Sequence, residues 1–273
     1  MREFNVRGAA LKADVLGSGI PLVLVHGFPF DHRMWLPLYE TACRDPQGNP
    51  FQWILPDLRG MGLSAIQPGA DVSYMADFAD DMAAILDCLG VETCVFGGLS
   101  MGGYVGWEFW ARHAHRVKAL IVSDTNAHAD SPDGAKKRLE TANRVESEGT
   151  GFLVNAMAGN LFAPENVTSD NPAFRVYESM VRENNPAGVA AAARGMTHRR
   201  DFASCLNSIS VPVMVVGGTF DKLATPEYLT SVAESMPQAR FTEIPHAGHL
   251  APLENPNDYW NCIKVLDNDI IYR

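Results

Sequence analysis

What this chain lacks removes several classes of protein before any motif is read. No run of 18 apolar residues occurs in its 273 residues, so no transmembrane helix is expected. The opening stretch, MREFNVRGAALKADV, alternates in a strand-like way and holds no apolar secretory core. Positive charge is in deficit: 22 Lys and Arg face 32 Asp and Glu. A chain this acidic is expected to bind neither nucleic acid nor an anionic membrane surface. Cysteine is sparse and scattered, at 43, 88, 94, 205 and 262, with no CxxC pair. These five read as reduced core thiols of a cytoplasmic protein, not as disulfides or metal ligands. No G-x-G-x-x-G leads from a strand into a helix, and no H-E-x-x-H or EF-hand spacing occurs. Neither a dinucleotide cofactor nor a metal is therefore expected. There is no internal repeat and no low-complexity segment.

What is present is a rhythm of short apolar runs and helical stripes. Strands are predicted at Pro21–Val25, Gln52–Pro56, Thr93–Gly97, Ala119–Asp124, Val211–Gly218 and Arg240–Pro245. An edge hairpin is predicted from Glu3–Val6 and Leu11–Leu16. Tyr74–Leu89, Met101–His113, Pro226–Ser235 and Asn257–Leu266 read as helices, the third with Thr225 as its cap. Alternation of this kind implies an α/β fold with a mainly parallel sheet covered on both faces. The rhythm breaks between residues 128 and 208, where helical patterns occur at Ala135–Glu148, Phe152–Met157, Phe174–Asn184 and Pro186–Arg194 without a strand. That stretch is too long for a loop. The expected organisation is a core of residues 1–127 and 209–273 carrying a helical cap at 128–208.

The motif with chemical content is VFGGLSMGGYVGW, Val95–Trp107. Gly98-Leu99-Ser100-Met101-Gly102 fits G-x-S-x-G between a strand and a helix, the setting of a nucleophile elbow. Ser100 then needs three kinds of partner. Oxyanion donors are offered by the N–H of Met101, next to the serine, and of Phe28 in the His26-Gly27-Phe28-Pro29 turn, because Pro29 has no N–H. A base is offered by His246 or His249 in IPHAGHLAPLENP, where Gly248 lets the loop bend inward ahead of His249. A carboxylate to orient the imidazole is offered by Asp221 or Asp124, each just past a buried strand. In PDLRGMGLS, Asp57 and Arg59 read as a pair bracing a scaffold turn. His26 reads as a brace for its own loop, and His113, His115 and His198 as surface residues.

In order and spacing, VHGFPFDHRMW, PDLRGMGLS, GGLSMGGY, GGTFDKLATP and HAGHLAPLENP resemble the α/β-hydrolase superfamily over nearly the whole chain. The resemblance is greatest to capped esterases and lactonases of the 3-oxoadipate enol-lactonase type. It implies an eight-stranded, mostly parallel sheet and selects Ser100, His249 and Asp221 as the triad, leaving Asp124 as a pocket or hydrogen-bonding residue. It implies a small ester or lactone as substrate and no cofactor. Haloalkane dehalogenases are excluded, since they use Asp where this chain has Ser100. A perhydrolase side activity, a carbon–carbon hydrolase with the same triad, and a ligand receptor that lost turnover remain open. Trp35 near the nucleophile, with Met157 and Phe162 in the cap, suggests a fairly apolar pocket. The cap holds nine Lys and Arg against ten Asp and Glu, so it is the least acidic part of the chain. One of its arginines is expected to meet a substrate carboxylate.

Overall fold

The first turn of the chain shows how local chemistry sets the architecture. Arg7 and Gly8 both take positive φ, 48° and 77°, and close a two-residue hairpin between β1 (Arg2–Val6) and β2 (Ala9–Gly17). Such turns match the right-handed twist of the strands they join. In this computed structural model, which describes residues 1–67 and 69–266, six further strands complete one sheet. They are β3 (Ile20–Val25), β4 (Phe51–Pro56), β5 (Cys94–Leu99), β6 (Val117–Ser123), β7 (Val213–Gly218) and β8 (Ala239–Ile244). Their order is β1-β2-β4-β3-β5-β6-β7-β8. Only β1 with β2 and β2 with β4 pair antiparallel; all later pairs are parallel.

The interior strands β5 and β7 are buried at every residue, whereas the edge strand β8 buries only Ile244. Continuous apolar runs therefore mark strands covered on both faces. Around the sheet lie α1 (Leu36–Arg44), α2 (Met75–Cys88), α3 (Met101–His113), α8 (Pro226–Glu234), α9 (Ala251–Glu254) and α10 (Pro256–Ile263), with α2 packed on α3 and α1 on α10. Thr225 caps α8 by accepting the Tyr228 N–H, and Pro226 fills the first turn. Helix α1 carried no sequence expectation. It begins directly at the end of a 3-10 turn without a side-chain cap, and Pro37 in its first turn is the start signal it offers.

Between β6 and β7 the described residues form no strand. They form α4 (Pro132–Glu148), α5 (Phe152–Leu161), α6 (Pro172–Glu183) and α7 (Pro186–Met196). The N-caps Ser131, Asn171 and Asn185 each precede a proline and each accept a backbone N–H. This layer is tied to the sheet loops by the buried Asn184. Its Nδ2 donates to the Pro29 and Phe30 carbonyls at 3.0 Å, and its Oδ1 accepts the Gly62 N–H at 2.9 Å. Among the described residues no helix is long and apolar enough to cross a membrane. Residues 267–273, the end of the expected core segment, lie outside the described residues.

Three expectations need correction. Arg59 does not pair with Asp57; it forms a bidentate pair with Asp81 at 2.6 and 3.0 Å. Asp57 instead accepts from the backbone and ring of His32 and from Leu63 N–H. Of the five thiols, all free, only Cys94 is fully buried; Cys43, Cys88 and Cys205 are exposed. His113 is half-buried and pairs with Asp80 at 3.0 Å.

Candidate active site

The site begins at the junction of β5 and α3. Ser100 has φ 55° and ψ −112°, a conformation that side-chain-bearing residues avoid and that costs of order 1–3 kcal/mol. The surroundings hold it there. Its N–H donates to the Ser123 carbonyl of the adjacent strand, and its carbonyl accepts the Gly103 and Tyr104 N–H groups and the Thr125 hydroxyl. The two glycines of the motif are steric necessities. A Cβ on Gly98 would strike the Gly102 carbonyl, and one on Gly102 would strike the Val25 carbonyl. The sharp turn thus presses α3 against β3 and β5 and leaves the serine at its tip.

Phe28 follows β3 in a turn stiffened by the buried His26. Leu58 N–H donates to His26 Nε2 at 3.0 Å, so Nε2 is the acceptor and the proton sits on Nδ1, bonded to the Gly27 carbonyl at 2.9 Å. Burial also lowers the His26 pKa, keeping the ring neutral. Met101 is wholly buried under the elbow, so only its backbone bears on the site.

His249 lies in the loop between β8 and α9. Its Nδ1 is 2.8 Å from Asp221 Oδ2, and both side chains are buried. Asp221 Oδ1 accepts the Leu223 and Ala224 N–H groups at 2.7 and 3.1 Å. Burial opposes ionisation of Asp221. The neighbouring His249 and those two N–H groups outweigh it and hold the carboxyl below its ordinary range. The loop is fixed by Glu254, whose carboxylate accepts the Gly248 N–H, the Ala163 N–H and the Asn166 side-chain amide. This explains the glutamate that follows His249 in the sequence: it ties the histidine loop to the helical layer. His246, with a side chain 81% exposed, points away from these groups.

Asp124 also sits at this corner, with φ 46° and no solvent exposure. Its Oδ1 accepts the Gly218 N–H at 2.9 Å, and Ser123 Oγ bonds Oδ2 at 2.7 Å. Burial, reinforced by the Asp221 carboxylate, pushes Asp124 well above the usual range.

Ser100 and His249 share a cavity of about 250 Å³ under the helical layer, with Phe28 and Asp124 in its lining. Met157, Leu161 and Met196 contribute its apolar wall, while Tyr104, Asn126, Arg138 and Arg199 make a polar one. Of the sequence-derived pocket residues, Met157 and Asp124 are in the lining. Trp35 and Phe162 are corrected. Trp35 is 0% exposed and packs on Tyr259, and Phe162 packs on Phe174 and Tyr177. Tyr104 was missed, although its place four residues after Ser100 puts it one helical turn on, over the same face. The pocket arginines carried no periodic signal.

Among the described residues two groups have metal-like spacing, Asp31–His32–Asp57 and Asp124–Asp221–His249. In both, the carboxylate oxygens already accept protein N–H or O–H groups. Both therefore fit hydrogen-bonded frames better than open ligand sets.

A strand–serine–helix elbow beneath helices inserted after β6, on this strand order, defines a class. The chain belongs to the α/β hydrolase fold family, whose model matches residues 20–256. Among individual relatives, 3-oxoadipate enol-lactonase 1 of Acinetobacter baylyi is 27% identical over 93% of this chain and 92% of its own length. A thermophilic esterase from Thermogutta terrifontis, solved with malate bound, is 38% identical with a TM-score of 0.90, covering 96% of this chain and 94% of that one. The enol-lactonase from Burkholderia xenovorans LB400 superposes over the full length of both chains with a TM-score of 0.86 at 24% identity, a likeness of fold.

Proposed function

We propose that this protein is a serine hydrolase of small carboxylic esters or lactones, acting through an acyl-enzyme. The observation that carries the reading is the His249–Asp221 hydrogen bond beside a cavity that Ser100 lines from a strained turn. Because Asp221 accepts from Nδ1–H, the imidazole keeps a lone pair on Nε2. His249 takes the Ser100 proton as Oγ attacks the substrate carbonyl. The N–H groups of Phe28 and Met101 stabilise the oxyanion by several kcal/mol in total, of order 3 kcal/mol each. His249 passes the proton to the leaving alcohol, and the carbon–oxygen bond breaks to give the ester of Ser100. Water, deprotonated by His249, then releases the acid and restores the serine. Asp221 holds the ring and offsets the charge of the imidazolium.

Residues 128–208 act as a cap that closes the cavity over the acyl group. The esterase and lactonase relatives support this reaction class. The three exposed free thiols favour a reducing, cytoplasmic setting.

The test is a panel of simple esters, lactones and a vinylogous diketone, assayed with the wild type and Ser100→Ala. Ester or lactone turnover that falls by several orders of magnitude in a folded Ser100→Ala protein is expected. Turnover of the diketone alone would make the protein a carbon–carbon hydrolase instead. No turnover at all, with Ser100 still open to covalent labelling, would make it a receptor.

A further inference from the structure

Two histidines flank Phe28, and both are tied to one dipeptide at the end of β4. His26 accepts the Leu58 N–H at its Nε2, 3.0 Å away. Beyond the turn, the backbone N–H and the ring Nδ1 of His32 both reach Asp57 Oδ1, at 2.9 and 2.7 Å. The segment 26–32 is thus bracketed at its two ends by adjacent residues. Between them, Asn184 of the helical layer holds the Pro29 and Phe30 carbonyls.

The two rings are held in opposite states. Burial lowers the His26 pKa and keeps that ring neutral. Burial also opposes protonation of His32, but the bond to Asp57 and the charges of Asp57, Asp31 and Asp14 outweigh it and raise its pKa. Of these carboxylates, Asp57 alone lies within hydrogen-bond distance of the ring. Asp14 stands 3.8 Å from Nε2 and Asp31 3.9 Å from Nδ1, and Asp31 is engaged by Arg33 at 2.7 and 2.9 Å. The His32–Asp57 bond is therefore charge-assisted and about twice as strong as a neutral one. Its acceptor is itself fixed. Asp57 is fully buried, its Oδ2 accepts the Leu63 N–H at 2.8 Å, and a Cβ on Gly62 would strike its carboxylate.

We propose that His32 is a positioning residue: by clasping the fixed Asp57 carboxylate it holds the far end of the oxyanion turn, so that the Phe28 N–H stands in place before charge develops on the substrate oxygen. This rests on the reading of Phe28 as an oxyanion donor. The turn is tight, closed by the Phe30 N–H on the Gly27 carbonyl at 3.0 Å, so slack at His32 is passed to the donor. A preorganised donor costs no reorganisation during reaction, and a displacement of about 1 Å can cost roughly 100-fold. The effect falls on the charged transition state and not on the bound ester, whose carbonyl is neutral.

The experiment uses phenyl acetate with the wild type, His32→Leu and His32→Asn. His32→Leu removes the ring donor and should lower kcat roughly 10- to 100-fold with KM within about threefold. His32→Asn sets an amide N–H where Nδ1 stands and should recover most of that loss. A pair of ketones separates positioning from mere structure. The carbonyl carbon of trifluoroacetophenone bonds Ser100 Oγ, the serine proton passes to His249, and the negative charge settles on the ketone oxygen. Inhibition by this ketone should weaken in His32→Leu by about the factor lost in kcat, while inhibition by acetophenone should not change. A rise in KM at constant kcat, equal weakening of both ketones, or a His32→Asn protein no better than His32→Leu would overturn the assignment. If His32→Leu does not fold, His32→Gln, whose donor stands one bond farther out, takes its place under the same criteria. If the wild type cleaves no ester, the hydrolase reading fails on its own, and amide hydrogen exchange over residues 26–32 decides the clasp. Faster exchange in His32→Leu, restored in His32→Asn, supports it; any other order overturns it.

Discussion

Replacing Asp221 by Asn should abolish most activity, and the local hydrogen bonds say by which route. Oδ1 of Asp221 accepts two backbone N–H groups, from Leu223 and Ala224, while Oδ2 faces His249 Nδ1. In Asp221→Asn the amide has two orientations. With its oxygen toward His249, its NH2 meets two N–H donors, and both buried bonds are lost at about 1–3 kcal/mol each. With its oxygen toward Leu223 and Ala224 those bonds survive, and the NH2 faces Nδ1. The second orientation wins by about 2–6 kcal/mol on the same figures. It forces Nδ1 to accept, moves the ring proton to Nε2, and leaves no lone pair for the Ser100 proton. A wrong tautomer of this kind lowers kcat about 10⁴-fold, equivalent to about 5 kcal/mol of barrier. The assay is kcat on an unactivated ester, paired with thermal melting to show that the isosteric variant remains folded. A folded Asp221→Asn protein within tenfold of the wild-type kcat would refute the reasoning.

Asp124→Asn should behave oppositely. Burial and the neighbouring Asp221 raise the Asp124 pKa, so the folded state holds its proton where the unfolded chain has released it. Native stability on this account falls as pH rises above the ordinary carboxyl range, and the neutral variant escapes that loss. Asp124→Asn should keep at least a tenth of the activity, and melting scans should show its relative stability growing from pH 4 to pH 8; a shrinking difference would contradict the protonated state. His249→Ala should lose activity as severely as Ser100→Ala, while His246→Ala, with its exposed ring, should stay within about threefold; initial rates on one ester separate the two, and a reversal would reassign the base. Trp35→Ala should cost about 3–5 kcal/mol in denaturant unfolding and leave relative kcat/KM across acyl lengths unchanged, because the ring is core and not lining. A selectivity change at constant stability would place Trp35 in the pocket after all.

How far these features were legible in the sequence depended on how local their causes are. The elbow was readable because its demand is local: Gly98 and Gly102 must lack side chains within two residues of Ser100. The order of strands and helices was readable from apolar runs, since β5 and β7 are covered on both faces and α3 follows directly from the motif. The facing of single side chains was less readable. Trp35 and Phe162 lie close in sequence to pocket elements, yet each points into a separate aromatic cluster. Partner choice was least readable. Asp57 and Arg59, two residues apart, take His32 and Asp81 because the fold brings those groups nearer in space. The pocket arginines show the same limit. Composition marked the helical insertion as relatively rich in positive charge, but only the fold places Arg138 and Arg199 in the cavity lining.

In the proposed mechanism Ser100 is the attacking group and His249 makes it so. Peptide-mapping mass spectrometry after treatment with a fluorophosphonate tests both halves at once. One phosphonyl group per chain is expected, carried by Ser100, with ester hydrolysis lost in proportion to labelling and no labelling in His249→Ala on the same timescale. Full labelling at another residue, or undiminished hydrolysis by protein fully labelled at Ser100, would contradict it.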